Sequence, residues 1–300
     1  QFEKANVDPV LKEDLLGDVD VEIDWKKLFQ SVSDYEFLTI NDAIQHVMRR
    51  VAQKVVPEGH SIILLLPGVY EVDRIYLSRF CVLYGLSETK VQYLHGSINQ
   101  SLPPANPSRS KAFSSGLPPT ADDMEDLSGQ IVIQSIPESR FNVVSSNGFC
   151  QVYNVTILQN SAVGSFGLFS TANKLFAKNC EVRSKGLSSV GCAKATLYMN
   201  HCIARSSRQS GLFCYQNGSV LLNNCRVMRN SYSGIALREG SMIIYNSKVD
   251  TNGGNGIRIE EKSQLVTVNS FIRNSSNQGI KSTESKVVLR NVEISGSRYQ

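Results

Sequence analysis

The stretch Ser233-Gly-Ile-Ala-Leu-Arg-Glu-Gly-Ser-Met-Ile-Ile-Tyr-Asn-Ser-Lys-Val-Asp-Thr-Asn252 holds three short apolar runs broken by glycine, serine and asparagine. After the glycine, Ile235 and Leu237 alternate with Ala236 and Arg238, and one unit later Ile257 and Ile259 alternate with Arg258 and Glu260. Period-2 alternation is the mark of a strand with one buried face. The runs are too short for helices and lack a 3.6-residue period.

The unit recurs. Asn154, Asn179, Asn200, Asn224, Asn246, Asn269 and Asn291 are separated by 25, 21, 24, 22, 23 and 22 residues. Three positions after each stands a β-branched residue: Ile157, Val182, Ile203, Val227, Val249, Ile272 and Ile294. A glycine keeps the same beat at Gly148, Gly167, Gly191, Gly211, Gly234, Gly256 and Gly279. A repeat of this length decides the architecture. Three strands per unit, stacked in register, predict an all-β, right-handed parallel β-helix. Leucine-rich repeats share the period but need leucines at fixed offsets, which are absent. Asn179, Asn200, Asn224, Asn246 and Asn269 are expected to stack at one turn, where Asn tolerates the left-handed backbone and its amide can bond to the next rung. The glycines are expected to supply positive φ where a strand begins.

A helix should begin the coil. Thr39-Ile-Asn-Asp42 resembles a capping box with Asp in place of Glu or Gln. Ile40, Ile44, Val47, Met48, Val51 and Val55 then fall on one stripe, opposite Arg49, Arg50 and Lys54. Such a helix would cover the apolar end of the coil. Ser61 to Leu66 reads as the first fully buried strand, and Pro67-Gly68-Val69-Tyr70 as a turn. Residues 1–35 read as a lead-in or linker and 36–300 as one domain. Within it, about 97–129 carries five prolines, many serines and the acids Asp122, Asp123, Glu125 and Asp126. That composition cannot bury a core and predicts a disordered loop.

Composition narrows the function. Apolar residues make up 41% of the chain and net charge is +4. Lysine and arginine are scattered, which does not indicate nucleic acid. No apolar run reaches the ~20 residues of a membrane span. Cys81, Cys150, Cys180, Cys192, Cys202, Cys214 and Cys225 are odd in number and lack metal-type spacing. They read as small buried residues of a chain in a reducing, intracellular compartment. The sequons at Asn99, Asn154, Asn217 and Asn274 are read as chance, because Asn154 is a ladder position.

Lyases and hydrolases built on parallel β-helices need carboxylates from neighbouring rungs, or calcium ligands beside a catalytic cation. Two positions after the ladder Asn stand Thr156, Glu181, Cys202, Arg226, Lys248, Phe271 and Glu293, with no adjacent acids. The four histidines lie far apart. The expectation is therefore a chain that is not an enzyme and takes no metal or cofactor. Two and four positions after the glycine should point outward. They hold Phe169, Phe213, Tyr215, Arg238, Arg258, Glu260 and Lys281. Solvent-facing aromatics beside arginines describe a face for a glycan or a protein partner.

The start Thr39-Ile-Asn-Asp-Ala-Ile44, then Ile63-Leu-Leu-Leu-Pro-Gly-Val-Tyr70, followed by Gly-Ile and Asn-x-x-Val rungs, is similar to the pectate-lyase-like β-helix domains of intracellular proteins. Over roughly residues 35–300 it most resembles the C-terminal half of the Nessun Dorma and Shc SH2-domain-binding protein 1 family. The resemblance implies a non-enzymatic cytokinesis protein, cytoplasmic and at the midbody, spindle midzone or intercellular bridge. It would work with centralspindlin, and its β-helix would bind β-galactoside glycans. Two alternatives stand beside it: the substrate-recruiting β-helix of an F-box-type ubiquitin-ligase adaptor, and a carbohydrate-active lyase or hydrolase.

Overall fold

The computed structural model describes residues 39–52, 61–77, 81–86 and 130–299. The expected lead-in, the Pro/Ser-rich loop and Val55 of the helical stripe lie outside them. The helix spans Ile40–Ala52. At its start the Asp42 amide donates to Thr39 Oγ1 at 3.1 Å, and the Thr39 hydroxyl donates to the Asp42 carboxylate at 2.7 Å. Ile40, Ala43 and Ile44 are buried in the same core as Ile63 and Leu77. The helix thus caps the first coil.

The later described strands are short, apart from two of ten residues, and pair in parallel with their equivalents on the next rung: Ser219 with Ser241, Arg226 with Lys248, Ile235 with Ile257. The first face stacks Ser61–Leu65, Cys81–Gly85, Cys150–Tyr153, Lys174–Lys178, Thr196–Asn200, Ser219–Asn223 and Ser241–Tyr245, then the leading halves of Gln264–Arg273 and Lys286–Ser295. The second stacks Gly68–Val72, Ile131–Ser135, Thr156–Gln159, Glu181–Ser184, Ile203–Arg205, Arg226–Met228 and Lys248–Asp250, then the trailing halves of those two long strands. The third stacks Ile75–Leu77, Val144–Ser146, Phe166–Ser170, Ser188–Ala193, Leu212–Tyr215, Ile235–Arg238, Ile257–Glu260 and Ile280–Ser282. This is a right-handed parallel β-helix of about eight turns, as the repeat predicted. Inward columns such as Val190, Leu212, Ile235 and Ile257 are fully buried. Each such side chain contributes roughly 1.5–3 kcal/mol.

Several expectations are corrected. Ser61–Leu65 is not buried on both sides: Ile63 and Leu65 are buried, while Ile62 and Leu64 are half-exposed. Gly68–Val72 is a strand, and the corner is made by Leu66 and Pro67.

The first corner carries left-handed residues at Asn154, Asn179, Asn224, Asn246, Asn269 and Asn291, but at His201 rather than Asn200 (φ 51°). Asn200 is the last residue of its strand, registered with Lys178 and Asn223. Taking His201 turns the spacings of 21 and 24 into 22 (201 − 179) and 23 (224 − 201). It also makes Ala204, not Ile203, the inward partner of Val182 and Val227.

The amides do not form one continuous ladder. Asn179 Nδ2 donates to Asn154 Oδ1 at 3.1 Å and Asn291 Nδ2 to Asn269 Oδ1 at 2.9 Å. Asn224 and Asn246 point into solvent. A buried polar ladder lies instead at the second corner. The Ser207 amide donates to Asn230 Oδ1 at 3.0 Å, and Asn230 donates through its amide (3.2 Å) and Nδ2 (3.0 Å) to Asn252 Oδ1. Asn230 and Asn252 are 2% and 1% exposed.

The glycine beat also has another cause. Of the described glycines only Gly68 and Gly296 have positive φ. Gly148 lies at the corner before the first face, and Gly191 sits in the outward column with Phe169 and Phe213.

Candidate functional site

Phe169, Phe213, Tyr215, Arg238, Arg258 and Glu260 all lie on the third face, in two neighbouring columns. Phe169, Gly191, Phe213, Ala236, Arg258 and Lys281 follow one another in the first column. Ala193, Tyr215, Arg238 and Glu260 form the second.

The upper half is aromatic. Phe166 stacks on Phe169 with ring centroids 4.8 Å apart, Phe169 stacks with Tyr215 at 6.5 Å, and Tyr215 stacks on Phe213 at 4.7 Å. Gly191 makes this continuous. A Cβ there would stand 2.7 Å from carbons of both Phe166 and Phe169. The rings therefore fold across a bare backbone, with Phe166 buried and Phe169, Phe213 and Tyr215 half-buried. Partial burial raises the Tyr215 phenol pKa, with a smaller contribution from Cys192.

The lower half is charged. Arg258 bonds the Glu260 carboxylate through Nε at 2.7 Å and a terminal nitrogen at 2.6 Å, and donates to the Tyr232 hydroxyl at 2.9 Å. Its guanidinium also lies 5.8 Å from the Tyr232 ring centroid. Arg238 pairs with Glu261 at 2.6 Å on the surface, and that bond holds the Glu261 carboxyl below its ordinary range. Between the halves is a cleft of about 200 Å³, lined by Phe213, Tyr232, Ala236, Arg238, Arg258, Glu260 and neighbouring polar groups. Ala236 forms its floor position because it is the small residue between Phe213 and Arg258 in their column. The cleft offers a ring face, two cations, one carboxylate and a phenol. That set can stack on an apolar ring face and exchange hydrogen bonds with several hydroxyls.

Sequence reading missed Tyr232, which stands on the corner before the strand, outside the offsets counted. It also missed an ion cluster on the second face, where Glu181 Oε1 accepts from Arg183 Nε and from Arg205 Nε at 2.5 Å. The two arginines are register partners four positions past the corner, an offset tallied only from the glycines. All seven cysteines are buried thiols outside any disulfide, in three stacks: Cys81 on Cys150, Cys192 on Cys214, and Cys180, Cys202 and Cys225 along the first corner. Among the described residues no three His, Cys, Asp or Glu side chains are placed to hold a metal ion, and no helix is long and apolar enough to cross a membrane.

Comparison with known proteins places this geometry. A search of curated proteins gave no match. Among solved structures, a pectin methylesterase from Aspergillus niger is 13% identical with a TM-score of 0.57, over 87% of this chain and 83% of its own. The pectin methylesterase PemA from Erwinia chrysanthemi is 12% identical with a TM-score of 0.51, over 88% of this chain and 87% of its own. The enzymatically active domain of a tailspike protein from bacteriophage CBA120 is 10% identical with a TM-score of 0.54; the match covers 80% of this chain but 38% of the tailspike. At such identities the likeness is one of fold. It nevertheless overturns the expectation that the chain is not an enzyme, because these neighbours are enzymes, and that expectation is withdrawn. The family profile described as the right handed beta helix region matches residues 141–298, more than half of the sequence. The chain belongs to the right-handed beta-helix family.

Proposed function

We propose that this domain is a carbohydrate-recognition scaffold, and that the third face holds a short, extended glycan. The observation that carries the reading is the run of stacked rings from Phe166 to Phe213 opening directly onto the Arg258–Glu260–Tyr232 cluster. Aromatic faces bind the apolar side of a sugar ring, and paired ions present fixed donors and acceptors to its hydroxyls. Rungs ~4.8 Å apart repeat on nearly the length of one saccharide unit.

The resemblance to the Nessun Dorma and Shc SH2-domain-binding protein 1 family supports a setting in cytokinesis, with centralspindlin as the protein partner and a β-galactoside as the glycan. The test is a glycan panel read with the wild type and with Tyr215→Ala and Arg258→Ala. Binding of a defined glycan, lost in both variants while thermal stability is kept, is the expected result. Panel binding unchanged in both variants would remove the third face from the proposal. Proteins co-purifying from dividing cells test the centralspindlin assignment separately.

A further inference from the structure

The first face carries a second outward column that the glycan reading does not use. Phe176, Tyr198, Leu221, Ile243, Val266 and Val288 are registered partners on six successive rungs. All are half-buried except Val288, which is 43% exposed. The Phe176 and Tyr198 rings stack at 4.6 Å, so the column is one unbroken apolar ridge. In the columns on either side, half of the residues are serine, threonine, asparagine or glutamine, and Tyr245 and Val268 are not charged either. Their charged members are Lys174, Lys178, Lys286 and Arg290; the described strands of this face contain no carboxylate. The corner that leads into this face carries Glu239, Glu261 and Glu284 beside Lys194 and Lys262, and Glu261 is paired with Arg238.

We infer that this face docks an amphipathic helix of a partner protein, its apolar edge on the column and its carboxylates on both flanks. The dimensions fit. Five intervals of ~4.8 Å span about 24 Å, the length of a helix of about 16 residues. One helical turn rises 5.4 Å, so successive i, i+3 and i+4 side chains meet successive rungs nearly in step. The charge is complementary, with cations at both ends of the column and an acidic flank expected of the partner. The polar columns argue against a lipid surface, because inserting this flat face would desolvate Ser219, Ser241, Asn200 and Asn223, whose hydrogen bonds to one another satisfy only part of their capacity. The Tyr198 hydroxyl is the ridge's one hydrogen-bonding side chain, which leaves a sugar few polar contacts along it.

The probe is a fluorescein-labelled 18-residue helical peptide with leucines at i, i+3, i+4 and i+7 spacing and glutamates on both flanks. Fluorescence anisotropy should show saturable binding. Leu221→Ser with Ile243→Ser should weaken it at least tenfold, and Lys174→Glu with Arg290→Glu at least fivefold. The charge variants lie on exposed positions and serve if the serine variants lower thermal stability. Replacing the peptide's glutamates by glutamine should weaken binding to the wild type. Absence of saturable binding overturns the proposal, as does binding indifferent to all four substitutions. Co-sedimentation with anionic phospholipid vesicles, lost in the same variants, would assign the face to a lipid surface and equally overturn it.

Discussion

Gly234 lies directly against Val249. A Cβ on Gly234 would stand 2.6 Å from Val249 Cγ1 and 2.6 Å from Asn252 Nδ2. The same relation couples Gly211 to Val227 and Gly256 to Ile272, each at 2.6 Å, and Gly167 to Val182 at 2.5 Å. The two periodic signals in the sequence, the glycine and the branched residue, are thus two sides of one contact. The bare backbone of the third face admits the branched methyl of the second.

Gly234→Ala should therefore destabilise by overpacking, by roughly 1–3 kcal/mol. Chemical denaturation of the single variant and of Gly234→Ala with Val249→Ala checks the cause. The double variant should cost less than the sum of the two singles, because the second change makes room for the first. Additive losses would place the strain elsewhere.

At the first corner the backbone, not the amide, sets the cost. Asn224 has φ 51° and an exposed side chain. Asn224→Gly should be close to neutral, and Asn224→Val should lose about 1–2 kcal/mol, the cost of a β-branched residue in the left-handed region. Equal losses in both variants, read by thermal melting, would restore a role for the amide.

The fold was legible because its period is written in residue types that few other structures require at that spacing. The register was less legible. At the fifth rung His201 takes the left-handed position, and a chance asparagine one residue earlier draws the repeat out of phase. The buried Asn230–Asn252 pair was hidden because Ser207 and Ser275 occupy the neighbouring equivalent positions, so no asparagine repeat shows there. The residues of the third face could be placed outward from alternation alone. Tyr232 could not, because a corner side chain obeys no period-2 rule, and its contact with Arg258 joins residues 26 positions apart.

Asn252 should be the more sensitive of the chain's asparagines. Its Oδ1 accepts from the amide and the side chain of Asn230, and its Nδ2 donates to the Val227 carbonyl at 3.4 Å. Asn252→Leu leaves buried donors unmet, at about 1–3 kcal/mol for each such group. Denaturant titration should show a loss well above that of Asn224→Gly. A loss no larger would mean that the second corner repacks without its polar ladder.

The thiols should resist modification in the folded chain. Burial, with a smaller contribution from Cys150, pushes the Cys81 thiol up to about 12, so almost none is thiolate at neutral pH. Iodoacetamide at neutral pH should label none of the seven buried cysteines quickly, and all of them once denaturant is added. Rapid labelling of Cys81 in native conditions, read by peptide mass, would show that the first coils open readily.

Acid should act through Glu181. Burial alone would raise its carboxyl, but hydrogen bonds and charge from Arg183 and Arg205 outweigh burial and hold it below the ordinary carboxylate value. A carboxyl depressed in the folded state contributes stability that is present above its unfolded pKa. That contribution fades as pH falls through the folded value, because the unfolded chain then binds the proton more readily. Glu181→Gln removes the titrating group and leaves two arginines facing an uncharged amide. At neutral pH the variant should melt below the wild type. Between about pH 6 and 3 the wild type should lose more of its melting temperature than the variant, so the two curves converge. Parallel curves over that range would mean that the cluster contributes nothing to stability, and that the arginines owe their positions to the rungs alone.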